Sequence, residues 1–325
     1  MLVYSALIVF AIFACILFGV AVKDVLVYKK QKRKYNFGES LSAYLMLLPA
    51  VILAFFFILL PIIFSLSYAF TDYELLKPDQ TKFIGLKNFE LMFNELKNKG
   101  DLFISIKNTL RFVIGVVPLQ IGLALGLALF VNRQKKGVGI FKVSYFAPVV
   151  ISLTVTSYLW LKILSPAPEG LMNSLLKVFG VEPQSFMEDR QNAMWWIVLL
   201  SAWQGCGYQM LIFLSGLSNV RKELYEAASL DGANSFKQFL HVTVPGLRST
   251  FLFIVITVFV GACRIMIQPM LMTGYVSHTM SLSYYMYQYG MKYGEVGYSS
   301  AIALLMTIVI GVITYLQRRF LSEKD

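Results

Sequence analysis

The chain is 325 residues long, 57% hydrophobic and 14% charged, with a mean hydropathy of +0.65. A water-soluble domain is nearer half apolar and a quarter charged, so too few charges are present to coat a water-facing surface, and a soluble globular protein is excluded. The net charge of +11 would suggest nucleic acid in a soluble protein; here most of it sits in short loops beside apolar runs, so it is read as topology and nucleic acid is set aside as a partner.

In chain order the apolar runs predict seven spans, at 2–22, 44–70, 108–131, 143–164, 194–217, 250–272 and 298–317, each near the length of about 20 residues that crosses a bilayer core. The first run has no Lys or Arg before it, whereas Lys29, Lys30, Lys32, Arg33 and Lys34 follow it. A cleavable signal carries its basic residues in front, so this run reads as an uncleaved anchor with its N-terminus outside. The segments then expected in the cytoplasm hold sixteen Lys or Arg; those expected outside hold nine, with matching acids in 71–107. The positive-inside rule therefore gives a bacterial inner-membrane topology with the N-terminus outside and the C-terminus cytoplasmic. Segments 71–107 and 165–193 read as small caps. Residues 1–40 form an anchor and basic cytoplasmic linker, and 41–325 form the transmembrane domain with a cytoplasmic loop at 219–249.

The chemistry the spans lack narrows the function. Spans two to seven contain no Asp or Glu, whereas ion-coupled carriers normally use an intramembrane carboxylate as relay or ligand. No phosphate-binding loop of the G-x-x-x-x-G-K-[ST] type occurs, so no ATP site is expected in this chain. His241 and His278 are isolated in loops, and Cys15, Cys206 and Cys263 lie in apolar runs without metal spacing, so neither a metal site nor a catalytic triad is expected. An enzyme is the weak reading.

The loop between spans five and six carries the signal. It is long for a connection between spans and reads as two short helices. The first covers Glu223 to Leu230, with Leu224, Ala227, Ala228 and Leu230 as a modest apolar face. Gly232 can adopt positive φ and end it. Asn234 or Ser235 can cap the second helix, and Pro245 breaks the chain before the next span. Glu226-Ala227-Ala228, then Gly232, then Val242, Val244 and Pro245 resemble the signature loop of ABC importer permeases, with valines where isoleucine and leucine are usual. That resemblance implies a coupling helix docking in a cleft of a separate ATPase subunit. Ala227 and Ala228 permit close approach, Glu226 pairs with a basic group of the partner or caps its own loop, and Gly232 sets the bend.

Further pieces resemble the maltose/glycerol-phosphate branch of that family: Leu47-Leu-Pro49 through Pro61 and Ser65 to Phe70-Thr71, then Phe83-Ile-Gly85-Leu-Lys-Asn88-Phe89. They continue with Pro148, Ser152 and Trp160, Gly170-Leu171-Met-Asn173, and Gly297-Tyr298-Ser-Ser300-Ala301-Ile-Ala303. The resemblance implies an all-α integral membrane protein with a six-helix type I importer permease core plus the N-terminal anchor. It implies a second permease subunit in a heterodimer, two ATPase subunits holding ATP and Mg, an extracellular solute-binding protein, and a sugar or oligosaccharide as cargo. The chain itself would hold no cofactor. The family places its sugar contacts on the helices flanking the loop. On the helix before it, Ser201, Gly205 and Tyr208 share a face with Gln204 and Gln209 beside it. On the one after it, Thr257, Gly261, Arg264 and Gln268 follow at i, i+4, i+7 and i+11. Such a stripe lines a cavity or packs helix against helix. Arg264, with no carboxylate in the spans to neutralise it, meets an acidic or hydroxylated substrate, or snorkels to the surface or pairs with another subunit. Tyr284, Tyr285, Tyr287, Tyr289, Tyr293 and Tyr298 read as a membrane-interface belt, with a contact surface for the binding protein as the alternative. Other function classes are a permease of another ABC import branch, an ion-coupled carrier without an ATPase, and a membrane scaffold.

Overall fold

A computed structural model describes residues 37–133, 137–274, 276 and 278–321. The expected span at 2–22, with Cys15, Asp24 and the basic run Lys29–Lys34, lies outside them. Among the described residues the regular structure is helical, with two isolated β-bridges, as expected for an all-α fold. Among these residues four helices are long and apolar enough to cross a membrane, or up to six if each of two bent pairs counts as one span.

The first span, Tyr44–Tyr68, comprises α1 (Phe37–Ala54), a π turn at Phe55–Leu59, and α2 (Leu60–Tyr68). Pro61 explains the π turn: it has no N–H to give to the preceding turn, and the Leu60 N–H reaches back to the Phe55 carbonyl instead. Only 6% of this span's apolar window is buried within the chain, so its surface is left for lipid or another subunit. The compact unit containing it also holds the segment to Asn88 and Gly294–Leu304. There the resemblance motifs have physical work. Asn88 is buried, and its Nδ2 donates to the Ala69 and Thr71 carbonyls at 3.0 and 2.9 Å. Gly85 has φ +61, and a Cβ on Gly297 would lie 2.2 Å from the Thr71 carbonyl oxygen.

The second unit covers Phe89–Tyr293 and the rest of the last helix from Leu305. After α3 (Lys87–Lys97) comes α4 (Asp101–Arg133), starting seven residues before the predicted span. At 1.5 Å per residue it is about 50 Å long. The predicted span 143–164 is not one helix: α5 (Val138–Val150) and α6 (Leu153–Ile163) meet at 96°, because Ile151 and Ser152 are extended. The helix α7 (Leu171–Val178) lies in the following segment, fixed by buried Asn173. Its Nδ2 donates to the carbonyls of Ser165, Ala167 and Gln184, and its Oδ1 accepts from the Gln184 N–H.

Then α8 (Ala193–Asn219) packs along α4, with Ala124, Ala128 and Ala202 fully buried; such small residues let backbones approach. Two apolar clusters lie along this pair, one around Phe112, Ile197 and Leu200, the other around Met210, Phe213 and Ile254. Cys206 and Cys263 are buried free thiols, as expected. The long loop holds α9 (Lys222–Leu230), α10 (Ser235–Gln238) and α11 (Val244–Gly246), and leads at 68° into α12 (Arg248–Cys263). The predicted span 250–272 breaks after Cys263, and α13 (Ile267–Met272) follows separately. The last described helices are α14 (Leu282–Tyr287) and α15 (Val296–Leu321).

The tyrosine belt is corrected. Tyr284, Tyr285 and Tyr298 are buried and Tyr289 is half-buried, leaving Tyr287 and Tyr293 exposed. The Tyr285 hydroxyl meets both Glu95 carboxylate oxygens at 2.7 and 2.8 Å, so it is an internal tie between α3 and α14.

Candidate functional site

The long loop is built by local chemistry. Helix α9 ends in a Schellman arrangement: Gly232 sits at φ +75, its N–H donates to the Ser229 carbonyl, and the Ala233 N–H donates to the Ala228 carbonyl at 2.9 Å. Asn234 then caps α10, its Oδ1 accepting from the Lys237 N–H at 2.9 Å. Both features were legible from residue type and spacing. Pro245 does not break the chain as expected. It sits in the first turn of α11, and the preceding Phe239–Thr243 forms a π turn in which the Val244 N–H reaches the Phe239 carbonyl. Pro61 stands in the same relation to its own π turn. The bend falls instead at Leu247. His241 lies in this π turn, not in a loop.

Two ties missed at the level of sequence lock the loop into one body. The Tyr225 and Thr243 hydroxyls are 3.0 Å apart, joining α9 to the π turn. Gln238 Nε2 donates to Ser229 Oγ at 2.8 Å and to the Ala233 carbonyl at 3.2 Å, joining α9 to α10. Outward, Glu226 and Ala227 are exposed beside Leu230, which is 90% exposed, and Phe236; Ala228, Val242 and Val244 are half-buried, and Pro245 is exposed. Two successive helices that leave a leucine and a phenylalanine exposed present unpaired apolar surface. A hollow lined by Asn132, Tyr225, Phe239 and Thr243 lies between this loop and the end of α4.

The residues expected to line a sugar path separate into two groups. Gln204, Gly205, Gln209 and Gln268 face other helices of this chain. Gln120 Nε2 donates to Gln209 Oε1 at 3.0 Å, and the Gln120 amide fills the space a Cβ on Gly205 would need. Gln204 Nε2 donates to the Ile151 carbonyl at 2.9 Å and to Thr156 Oγ1 at 3.2 Å. The Ile151 carbonyl is freed by the 96° bend, so this amide satisfies a backbone group that would otherwise lie bare in an apolar setting. Gln268 Nε2 reaches Ser201 Oγ at 3.4 Å. Conversely, Tyr208, Thr257, Gly261 and Arg264 are exposed, and Ser201 is half-buried. The i, i+4, i+7, i+11 stripe does not survive intact. Thr257 and Gly261 are on α12, Arg264 caps its end with φ −97 and ψ 15, and Gln268 belongs to α13. Thr257 Oγ1 donates to its own helix, to the Phe253 and Ile254 carbonyls.

Residues 120–324 match the family model described as the binding-protein-dependent transport system inner membrane component. The chain is 32% identical to the arabinooligosaccharides transport system permease protein AraP of Bacillus subtilis (strain 168), over 87% of this chain and 89% of that one. It is 28% identical to the lactose transport system permease protein LacF of Rhizobium radiobacter, over 88% and 94%. Among solved structures it resembles a chain of a bacterial ABC transporter involved in the import of the acidic polysaccharide alginate. There the TM-score is 0.77 at 21% identity, covering 87% of this chain and 96% of that chain.

Proposed function

The chain belongs to the family of binding-protein-dependent transport system inner membrane components, and from that premise we propose that it is the permease subunit through which an ATP-driven importer passes a sugar or oligosaccharide. The sugar assignment is supported by the relatives named for arabinooligosaccharides and lactose. The observation that carries the coupling is the outward face of α9, with Glu226, Ala227 and Leu230 exposed on a body braced by Gly232, Tyr225 and Gln238.

A separate ATPase subunit docks on that face, with Leu230 and Phe236 buried at the contact and Glu226 paired to a basic group. ATP and Mg belong to that partner. Because α9 is bonded to the π turn through Tyr225 and Thr243, movement of the ATPase is passed to α12 and not absorbed in the loop. Cargo from an extracellular solute-binding protein meets the exposed face of Tyr208, Thr257, Gly261 and Arg264, completed by a second, similar permease. The charge bias sets the loop and the C-terminus in the cytoplasm and the N-terminus outside.

The test is affinity purification from native membranes with an ATPase assay. Wild type should carry an ATP-hydrolysing subunit. Glu226→Lys should lose it, and Gly232→Pro, which distorts the turn behind the docking face, should lose or uncouple it. If gentle extraction of wild type yields no ATPase, the reading fails and an ion-coupled carrier takes its place.

A further inference from the structure

A groove of about 640 Å³ lies on α4 and α8, away from the loop and away from the face assigned to cargo. Its lower wall is apolar, made by Gly115, Leu119 and Leu199; its rim carries Asp189, Asn192 and Trp195. Around a helix of 3.6 residues per turn, Leu199 lies roughly 200° from Ser201, and Trp195 roughly 220° from Tyr208. The groove therefore opens on the opposite side of α8 from the cargo face. Trp195 is 53% exposed, and its ring occupies the space over Gly115, where a Cβ would lie 2.7 Å from it.

The rim has one kind of charge. Asp189 is the charged residue lining the groove, and neither Lys nor Arg does so. One Asp189 oxygen accepts from the Gln191 N–H at 2.8 Å and the other from Asn192 Nδ2 at 2.6 Å. These bonds hold its carboxyl below the usual carboxylate range, with a small contribution from nearby His278, and it makes no ion pair among the described residues. A carboxylate has about four lone-pair sites, so the bonds it accepts from Gln191 and Asn192 leave acceptor capacity. A carboxylate and a half-exposed indole lining one groove are the chemistry that recognises an ammonium group. An apolar wall leading from it into the span region is the chemistry that receives a hydrocarbon chain.

We propose that this groove holds a bilayer phospholipid with an ammonium headgroup, the ammonium between Asp189 and Trp195 and an acyl chain along Leu119 and Leu199. The inference rests on the membrane-spanning fold and not on the identity of the cargo. An anionic lipid is disfavoured because its headgroup would face Asp189 with neither Lys nor Arg lining the groove. A free amine in water would leave the apolar wall bare.

The probe is phosphatidylethanolamine against phosphatidylglycerol of the same acyl chains, offered at equal concentration to the purified full-length complex and read by native mass spectrometry. Wild type should retain phosphatidylethanolamine in about tenfold preference. Asp189→Asn, which keeps the shape and one of the two acceptor oxygens but removes the charge, should bring the ratio near one. Trp195→Ala should reduce it about threefold. Soluble ethanolamine phosphate at the same concentration should displace nothing. Equal retention of the two lipids by wild type overturns the proposal without recourse to any variant. So does an unchanged ratio in Asp189→Asn, or displacement by soluble ethanolamine phosphate, which would make this a site for a water-borne amine.

Discussion

The two helices flanking the long loop use polar residues in opposite ways. Helix α8 turns its amides inward, so Gln204 and Gln209 are spent on the Ile151 carbonyl and on Gln120. Helix α12 turns its small and polar residues outward, so Thr257, Gly261 and then Arg264 at its end are exposed. Burial follows: 56% of the apolar window of α8 is buried, the largest share among the four unbroken spans. A polar residue in a span is therefore either a structural bond or an open surface, and only the neighbouring helices decide which.

That contrast can be tested by stability measurements on purified variants. The largest loss is expected from Gly207→Val on α8. A Cβ there would lie 2.2 Å from the Tyr145 carbonyl oxygen, a backbone atom that cannot swing away, so on the order of 3 kcal/mol or loss of folded protein is expected. Size-exclusion chromatography and thermal melting would show it; a normal melt would mean that α5 and α8 are not closely packed. Next, Gln120→Leu leaves Gln209 unpaired and should cost about 1–2 kcal/mol, with much of the loss recovered in the Gln120→Leu/Gln209→Leu double variant. Additive losses in that cycle would argue against the bond. Asn234→Ala removes the cap of α10 and should cost about 1 kcal/mol locally, seen as faster amide exchange at Lys237. The smallest stability change, within about 0.5 kcal/mol, is expected for Arg264→Gln on the exposed face. Its effect should appear in sugar uptake instead, and a large melting shift would show that Arg264 has a structural partner.

The sequence made local features readable and left tertiary ones hidden. Gly232 and Asn234 act within four residues of themselves, so residue type and spacing sufficed. Span existence followed from apolar length. The bend at Ile151 and Ser152 was invisible because it depends on Gln204, about fifty residues later, satisfying the freed carbonyl. The break at Arg264 was hidden because hydropathy continues through Ile265, Met266 and Ile267 while the backbone does not. Tyr285 looked like an interfacial aromatic because nothing near it announces Glu95 as its partner. Asn88, Asn173 and Gly297 were recognised as family words; the structure supplies their physical reasons.

Asn173 has a consequence for what the loop between α6 and α8 can tolerate. One amide gathers the carbonyls of Ser165, Ala167 and Gln184, so residues 165–184 are closed at the base like a drawstring. Whatever hangs beyond the knot, around the exposed turn at Gly180, is mechanically isolated from the two spans. Doubling such a loop adds only about 0.6 kcal/mol of closure entropy. A reporter domain spliced in at Gly180 should leave the membrane bundle intact, whereas the same splice in an Asn173→Ala background would pull on both spans.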